Sequence, residues 1–242
     1  VAAQTAADGE RLQQIGAREV SVCGNLKFDV TPAPDRMLQG ARWRQAFGAR
    51  PIWLAASTRE GEEAMLLDEF ATMTTPDLLL LLVPRHPQRF AEVADLVEER
   101  RLAFCRRSTG ELPDRETRVW LGDSMGELAA YYALADLAII GGTLLPFGGQ
   151  NLIEAAACGC PVLLGPHDFN FAQAGEDAIA AGAGRRIADV REAARVAADL
   201  FQDRPKLLAM RAATANFSLS HRGATLRIMA LIAQLRAIRT AN

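Results

Sequence analysis

Short apolar runs alternate with longer stretches in which apolar residues recur at helical spacing, and this alternation constrains the fold more than any other feature of the chain. The run LLLLLVP at 78–84, for example, is apolar throughout, as expected of a strand that is buried on both faces of a sheet. The pattern predicts an α/β fold, with a Rossmann-like parallel sheet and helices on both of its faces. The predicted strands are 19–24, 51–56, 78–84, 101–105, 119–122, 137–140, 162–165 and 184–187.

Helical stretches lie between these strands, and a longer helical region ends the chain. The apolar spacing predicts helices over 61–74, 87–99, 125–134 and 151–158. From residue 189 onwards the pattern is helical, with one break at Arg204–Pro205 and another around 218–223. We therefore expect one domain over residues 1–242 in which 189–242 form a helical tail, and only the short segment Pro32–Pro34 resembles a linker.

Composition excludes several classes of protein. The 27 Lys and Arg residues against 29 Asp and Glu leave a net charge of −2, which does not favour a nucleic-acid partner. The four cysteines lack CxxC spacing and the three histidines are far apart in sequence, so neither a disulfide framework nor a metal site is expected. No apolar run reaches the length of a membrane span, and no GxGxxG or P-loop pattern suggests a cofactor.

Polar or glycine-rich segments follow six of the predicted strands, at 24–29, 56–63, 84–90, 122–128, 141–154 and 165–171. In a doubly wound sheet the ligand lies at the carboxyl ends of the strands, where loops lead into helix N-termini. Six such loops at one edge of a sheet predict a binding cleft there.

The segment GGTLLPFGGQNLIEAAACG at 141–159 is the most distinctive of these loops. Gly148 and Gly149 permit positive φ or a close approach of backbone to a ligand. Asn151 is a good N-cap, and Glu154 stands three residues later, as in a capping box. The segment is therefore either an anion site at a helix N-terminus or a plain helix cap. The two glycine pairs favour the ligand, since a cap needs none of them.

Cations in the neighbouring loops could hold an anion. Arg85 directly follows a strand and can bind a phosphate or carboxylate with two hydrogen bonds. His86 taken alone is more typical of a histidine with ordinary hydrogen bonds, and Lys27 taken alone of a surface lysine. Arg89 is expected to be solvated.

The remaining strand-end residues have simple structural explanations. Ser57 can cap the following helix, and Glu62 and Glu63 are expected to favour the positive end of that helix's dipole. Ser124 and Glu127 again have capping-box spacing. No GxSxG pattern makes Ser124 a nucleophile.

A resemblance to a known family is carried by six segments taken in order: GNLKFD, WLAASTREGEE, LLLVPRHPQRF, WLGDSMGEL, IIGGTLLPFGGQNLIEAAACGCPVLLGPHDFNF and HRGA. Together they resemble the C-terminal half of bacterial 3-deoxy-D-manno-octulosonic acid (Kdo) transferases over essentially all 242 residues. The resemblance implies a GT-B glycosyltransferase that moves Kdo from CMP-Kdo to the lipid A precursor in lipopolysaccharide biosynthesis, without a metal. It also implies that an N-terminal domain with the acceptor site, the catalytic base and a membrane anchor lies outside this chain. The chain alone is then expected to be soluble and inactive, and the whole enzyme to act at the cytoplasmic face of the inner membrane.

The resemblance further implies a role for several of the loop residues. Glu154 would hold the ribose hydroxyls, Asn151 and the Gly148–Gly149 amides would face the phosphate, and Arg85 is the first choice of cation for that phosphate. Cytosine would lie near the loop 124–126. The residues expected to bind CMP-Kdo are Lys27, Ser57, Arg85, His86, Ser124, Met125, Gly126, Gly148, Gly149, Asn151 and Glu154, and no catalytic residue is expected in this chain.

Two alternatives stay open at this point. One is another GT-B domain, from a transferase or epimerase that uses UDP-sugars. The segments GNLKFD and PRHPQRF argue against this alternative. The other is a nucleotide-binding module without catalysis, because no catalytic base is evident in these residues.

Overall fold

The computed structural model describes residues 1–240, with the side chains of residues 1–237, and the chain forms two units. The first unit comprises residues 1–31 and 216–242, and the second comprises residues 32–215. In the first unit, β1 (Ala2–Ala3) and β2 (Ser21–Val22) pair in parallel around α1 (Ala6–Gln14).

The second unit is built on a seven-stranded sheet in which every pair of neighbouring strands is parallel. The predicted α/β fold with a parallel sheet is therefore confirmed. The elements that follow β2 along the chain are α2 (Pro34–Phe47), β3 (Ile52–Thr58), α3 (Glu62–Thr72), β4 (Leu79–Pro84), α4 (Phe90–Glu99), β5 (Phe104–Arg106), β6 (Val119–Leu121), α5 (Leu128–Leu134), β7 (Leu137–Ile140), α6 (Leu152–Ala157), β8 (Val162–Leu164), α7 (Ala172–Ala180), β9 (Gly184–Arg186), α8 (Val190–Gln202), α9 (Arg204–Ser220) and α10 (Ala224–Thr240).

The strand order of this sheet is β5-β6-β4-β3-β7-β8-β9. From β3 the chain first builds outward through β4 and then returns to the other side of β3 to place β7. The gap between the carboxyl ends of β3 and β7 is therefore the topological switch point, where open α/β sheets bind their ligands. The core agrees with a sheet covered on both faces, because every residue of β3 and β4 is buried.

Two local differences from the sequence predictions have physical causes. The predicted strand 19–24 forms only β2, which pairs with β1 in the first unit and not with the large sheet. Helix α2 was not predicted, because the Pro32–Pro34 segment was interpreted only as a linker. Pro34 occupies the first helical position. There the missing N–H of proline costs no hydrogen bond, and the φ of proline is already helical.

The segments GNLKFD and HRGA pack against each other within the first unit. Asp29 accepts the backbone N–H groups of Gly223 and Thr225, each at 2.6 Å, and thereby satisfies amides at the start of α10. Phe28 stacks on His221 with 4.6 Å between the ring centroids. Hydrogen bonds from Thr225 and from these amides lower the pKa of Asp29 to about 2.

Candidate functional site

The site begins with a distortion at the end of β3. Ser57 has φ 57°, in the left-handed region, and the register with β4 shifts between Ala56 and Thr58. Gly141, at the end of β7, lies so close that an added Cβ would stand 2.2 Å from the carbonyl oxygen of Ser57. A non-glycine residue with positive φ is strained, and such strain is concentrated at functional sites. The switch point is therefore both strained and closely packed.

A cavity of about 140 Å³ opens beside this distortion, at the carboxyl edge of the sheet. It receives side chains from the ends of β3 and β4, from the loop after β6, and from α5. Five residues expected from the sequence meet there, and the structure adds four that sequence analysis did not name. The lining residues are Ser57, Val83, Pro84, Arg85, Ser124, Met125, Gly126, Leu128 and Tyr131. Leu128 and Tyr131 are three residues apart on α5, so helical spacing alone would have placed them on one face.

Arg85 and Glu154 form the charged part of the site. Arg85 is exposed and has no ion pair among the residues that the structure describes. Burial raises the pKa of the Glu154 carboxyl, and the charge of Arg85 opposes that rise. Within the described chain the Glu154 side chain has no hydrogen-bond partner. A half-buried carboxylate and an unpaired guanidinium thus stand near each other, with their hydrogen-bonding capacity unused.

The glycine loop has positive φ at Gly148 (89°) and Gly149 (80°). An added Cβ on Gly148 would stand 2.3 Å from Nδ2 at the end of the Asn170 side chain, so a larger residue would have to displace that side chain in addition to adopting a strained φ. The N–H of Gly149 donates to the carbonyl of Gly142 at 2.8 Å. That amide is therefore occupied and does not face a phosphate, contrary to the expectation from the family.

Asn151 caps α6 as expected, since its side-chain oxygen accepts the N–H of Ile153 at 3.1 Å. The reciprocal bond of a capping box is absent from the described residues, because Glu154 does not return to the cap. The helix-cap interpretation therefore applies to Asn151, whose side chain caps α6. The ligand interpretation applies to Glu154, whose carboxylate does not take part in the cap.

Glu62 is fully buried and holds the glycine loop in place. Its carboxylate accepts backbone N–H groups from Gly142 at 2.7 Å, Leu144 at 3.0 Å and Arg59 at 2.9 Å. Burial raises the pKa of Glu62, and these three hydrogen bonds oppose the rise. The expectation that Glu62 only complements a helix dipole was wrong, because two of its three partners, Gly142 and Leu144, lie 80 and 82 residues along the chain.

Glu63 is also fully buried and joins the ends of β3 and β4. Its Oε1 accepts a hydrogen bond from the Thr58 hydroxyl at 2.8 Å and one from Arg89 at 2.7 Å. The Arg89 side chain is 12% exposed and also pairs with Glu92. The expectation of a solvated Arg89 was therefore wrong, since it compensates the charge of a buried glutamate.

Two further carboxylates fix the loop after β6. Asp123 accepts hydrogen bonds from the backbone and hydroxyl of Ser108, at 2.8 and 2.6 Å, and from Arg106 at 2.7 Å. Glu127 is bonded by Ser124 and, at 3.0 Å, by Arg107. Burial alone would raise the pKa of Glu127, but its hydrogen bonds and the Arg107 charge together lower it. Ser124 and Glu127 are thus in direct contact, but not as a capping box, because Glu127 is itself the N-cap of α5.

Six of the eleven expected residues do not line the cavity. Four of them belong to the glycine loop and the start of α6, namely Gly148, Gly149, Asn151 and Glu154, and the other two are His86 and Lys27. His86 is half-buried at the turn after β4. Lys27 lies in the first unit, in a 3₁₀ turn that Asn25 caps by accepting the Lys27 N–H at 2.9 Å.

A larger cavity of about 550 Å³ lies at the opposite edge of the sheet, where the strands begin. Arg50 lines it, but this guanidinium already donates to the carbonyls of Asp77, Asp114 and Thr117. The smaller cavity is the better candidate, because ligands of open α/β sheets bind at the carboxyl edge and because its cation is unpaired.

Neither a metal-binding cluster nor a membrane-spanning helix is present in the part of the chain that the structure describes. There, no group of three or more His, Cys, Asp or Glu side chains is arranged to hold a metal ion. Among the same residues, no helix combines the length and apolar character needed to cross a membrane.

Comparison with known proteins identifies close relatives. The 3-deoxy-D-manno-octulosonic acid transferase of Bordetella pertussis is 46% identical over 235 residues, which cover 95% of this chain and 55% of the relative. The enzyme of the same description from Haemophilus influenzae is 44% identical over 179 residues, or 71% of this chain and 41% of the relative. The chain thus spans about half the length of the curated relatives that it matches. No family model matches the chain.

Solved structures agree with these relatives. The C-terminal CMP-Kdo binding domain of WaaA from Acinetobacter baumannii matches with a TM-score of 0.72 and 29% identity, covering 76% of this chain and 98% of that domain. Anabaena HepE in complex with UDP matches with a TM-score of 0.62 and 16% identity, covering 98% of this chain and 63% of HepE. The second likeness concerns the fold alone.

Proposed function

Because the chain belongs to the family of 3-deoxy-D-manno-octulosonic acid transferases, we propose that it is the part of such an enzyme that binds CMP-Kdo. The observation that carries this proposal is the convergence of Ser57, Arg85 and Ser124 on one cavity at the carboxyl edge of the sheet, beside the switch point. These residues come from three different strand ends, and their meeting was expected from the sequence.

The cavity is suited to the base of the nucleotide. At about 140 Å³ it is smaller than the pockets of roughly 300 Å³ or more that hold whole drug-sized ligands, so it has room for only one ring. Val83, Pro84 and Leu128 supply apolar walls. Met125 is 58% exposed at the loop after β6, where its thioether can cover the face of a ring.

The charged groups suit the rest of the nucleotide. Arg85 would bind the phosphate, because it is exposed, has no ion pair in the described chain and presents a planar fork of donors. Glu154 would accept the ribose hydroxyls, since its carboxylate has no other hydrogen-bond partner there. Asn151 and Gly148 would support the loop that faces the phosphate, and Gly149 would contribute its backbone conformation. His86 and Lys27 stay proposed donor-binding residues on the resemblance to the family alone, and no contact in the cavity is assigned to them.

The chemistry that these residues perform is the stabilisation of a leaving group. When the bond between Kdo and its phosphate breaks, negative charge grows on the phosphate of CMP. The positive charge of the Arg85 guanidinium beside that phosphate would lower the energy of the transition state. The same proposal assigns the catalytic base and the lipid A precursor to the part of the relatives outside the matched region, and places the whole enzyme at the cytoplasmic face of the bacterial inner membrane.

Calorimetric titration tests the phosphate contact. We expect CMP to bind the chain more tightly than cytidine does, and Arg85→Ala to remove most of that difference, about 1–3 kcal/mol. The matched control is Arg115→Ala, which alters an exposed arginine in the loop that leads into β6, at the opposite edge. Equal losses in both variants, or no CMP binding by a folded chain, would contradict the proposal.

A further inference from the structure

We propose that the hydroxyl of Ser124 distinguishes cytosine from uracil, because its only proton is held by Glu127 and it can offer the cavity nothing but an acceptor. This inference rests on the proposed function, which puts the base of the nucleotide beside Ser124. The inference adds that the Ser124 hydroxyl is the group that makes the site prefer cytosine over uracil.

The first step is the charge of Glu127. Its side chain is 7% exposed and lies 3.0 Å from Arg107 and 3.6 Å from Arg36. Gln39 donates a further hydrogen bond to it at 2.7 Å. Two cations and an amide donor around one buried carboxylate favour its ionised form, which can only accept hydrogen bonds.

The second step is the direction of the Ser124 proton. Ser124 is hydrogen-bonded to Oε2 of Glu127, and a hydroxyl has one proton and two lone pairs. Since the carboxylate has no proton to give, Ser124 must donate. Its single proton is thereby committed to Glu127.

The third step is the hydroxyl of Tyr131, which is fully buried and lies 2.8 Å from Oγ of Ser124. Because the Ser124 proton is already committed, Tyr131 is the donor of this bond, which at 2.8 Å is much shorter than the 3.4 Å contact of the same hydroxyl with Oε2 of Glu127. Ser124 then has one lone pair left, and both Ser124 and Tyr131 line the cavity.

The fourth step is the chemistry of the bases. Cytosine carries an amino group, a donor, where uracil carries a carbonyl oxygen, an acceptor. An acceptor held in one orientation forms a hydrogen bond with the former and opposes the latter. A site whose polar group is left unpaired by the wrong ligand rejects that ligand far more strongly than a site that offers the two ligands different apolar contacts only. The locked Ser124 hydroxyl is therefore a specificity-determining group.

The experiment is a calorimetric titration of the 242-residue chain with CMP and with UMP. We expect the wild-type chain to prefer CMP, and Ser124→Ala to reduce the ratio of the two affinities by about 5- to 30-fold. Ser124→Thr, which keeps the hydroxyl, should restore the ratio. Ser108→Ala is the matched control, because Ser108 likewise donates to a buried carboxylate, that of Asp123, but does not line the cavity.

The outcomes separate this inference from the proposed function. If the wild-type chain prefers CMP and Ser124→Ala keeps that preference, the role of Ser124 is overturned and the proposed function stands. If the wild-type chain binds CMP and UMP equally, the inference is also overturned. If a chain shown to be folded binds neither nucleotide, the proposed function fails and the inference fails with it.

Discussion

Glu62 accepts the backbone N–H of Gly142 at 2.7 Å, although the two residues are separated by 80 positions in the sequence. With its bonds to Leu144 and Arg59, this buried carboxylate fastens the start of α3 to the loop after β7. Its neighbour Glu63 fastens the same helix to the turn after β4 through Arg89. Two adjacent glutamates therefore set the positions of the loops that carry Arg85 and the glycine pairs.

Replacing Glu62 by glutamine should destabilise the second unit. The amide NH₂ of Glu62→Gln would face at least one backbone N–H that the carboxylate now accepts, and an unsatisfied buried donor costs about 1–3 kcal/mol. Chemical denaturation of this variant measures the loss. Glu60→Gln, at an exposed glutamate two residues earlier, should be within about 0.5 kcal/mol of the wild type. Equal stability of the two variants would show that the Glu62 bonds are not needed.

Arg89 should matter far more than its place in a surface turn suggests. Arg89→Ala leaves the fully buried Glu63 without its cation, and breaking a buried pair costs about 3–5 kcal/mol. Glu92→Gln removes the more exposed partner of the same arginine and should cost less than about 1 kcal/mol. A thermal unfolding series compares them, and similar melting temperatures for both variants would refute this assignment.

Glu154 should make CMP binding depend on pH. Burial raises the pKa of the Glu154 carboxyl above 4.5. As pH falls, Glu154 therefore becomes protonated at a higher pH than an ordinary glutamate, and it then loses the ionised form that accepts ribose hydroxyls. The affinity of the wild type should decline in that range relative to Glu154→Gln, whose side chain does not titrate. The titration of CMP itself is common to both proteins and cancels in the comparison. Parallel pH profiles would remove Glu154 from the site.

The same carboxyl should not support folding. A folded-state pKa above the unfolded value contributes stability below the unfolded pKa, and this contribution is lost as pH rises through the folded one. Glu154→Gln should therefore be at least as stable as the wild type at pH 7, although it binds CMP more weakly. A destabilised variant would indicate that Glu154 has a structural role instead.

Asp29 should make the first unit sensitive to acid. Its pKa falls from 3.8 to about 2 on folding, so its contribution is fully present above pH 4 and is lost as pH falls towards 2. The protection of the Gly223 and Thr225 amides, the two donors to Asp29, measured against their intrinsic exchange rates at each pH, should fall over this range. Asp29→Asn should exchange faster at neutral pH and lose much of this acid dependence. Asp95→Asn, at an exposed aspartate on α4, should behave as the wild type.

Sequence patterns predicted both the parallel sheet and the convergence of Ser57, Arg85 and Ser124 on one cavity. In a parallel sheet all carboxyl ends lie at one edge, so residues after strands converge even when they are distant in sequence. Arg85 and Ser124 are such residues. The apolar runs were also decisive, because strands covered on both faces exclude polar residues.

The roles of Glu62, Glu63 and Arg89 could not be predicted in this way. Glutamates in a first helical turn and an arginine in a turn satisfy local rules whether they are solvated or buried. Besides local partners, these side chains have partners 26 to 82 residues away, which local spacing does not encode. The occupied amide of Gly149 depends in the same way on how the loop folds back onto Gly142.

The proposed function requires that a cytidine nucleotide occupy the small cavity at the carboxyl edge of the sheet. Amide chemical-shift mapping by NMR during titration with CMP tests this occupancy, because the cavities of about 140 Å³ and 550 Å³ lie at opposite edges of the sheet. We predict shifts at Ser57, Arg85, Met125 and Glu154, with Gly48 and Asp77 unchanged. Shifts confined to the residues around Arg50 would place the nucleotide in the larger cavity and contradict the account.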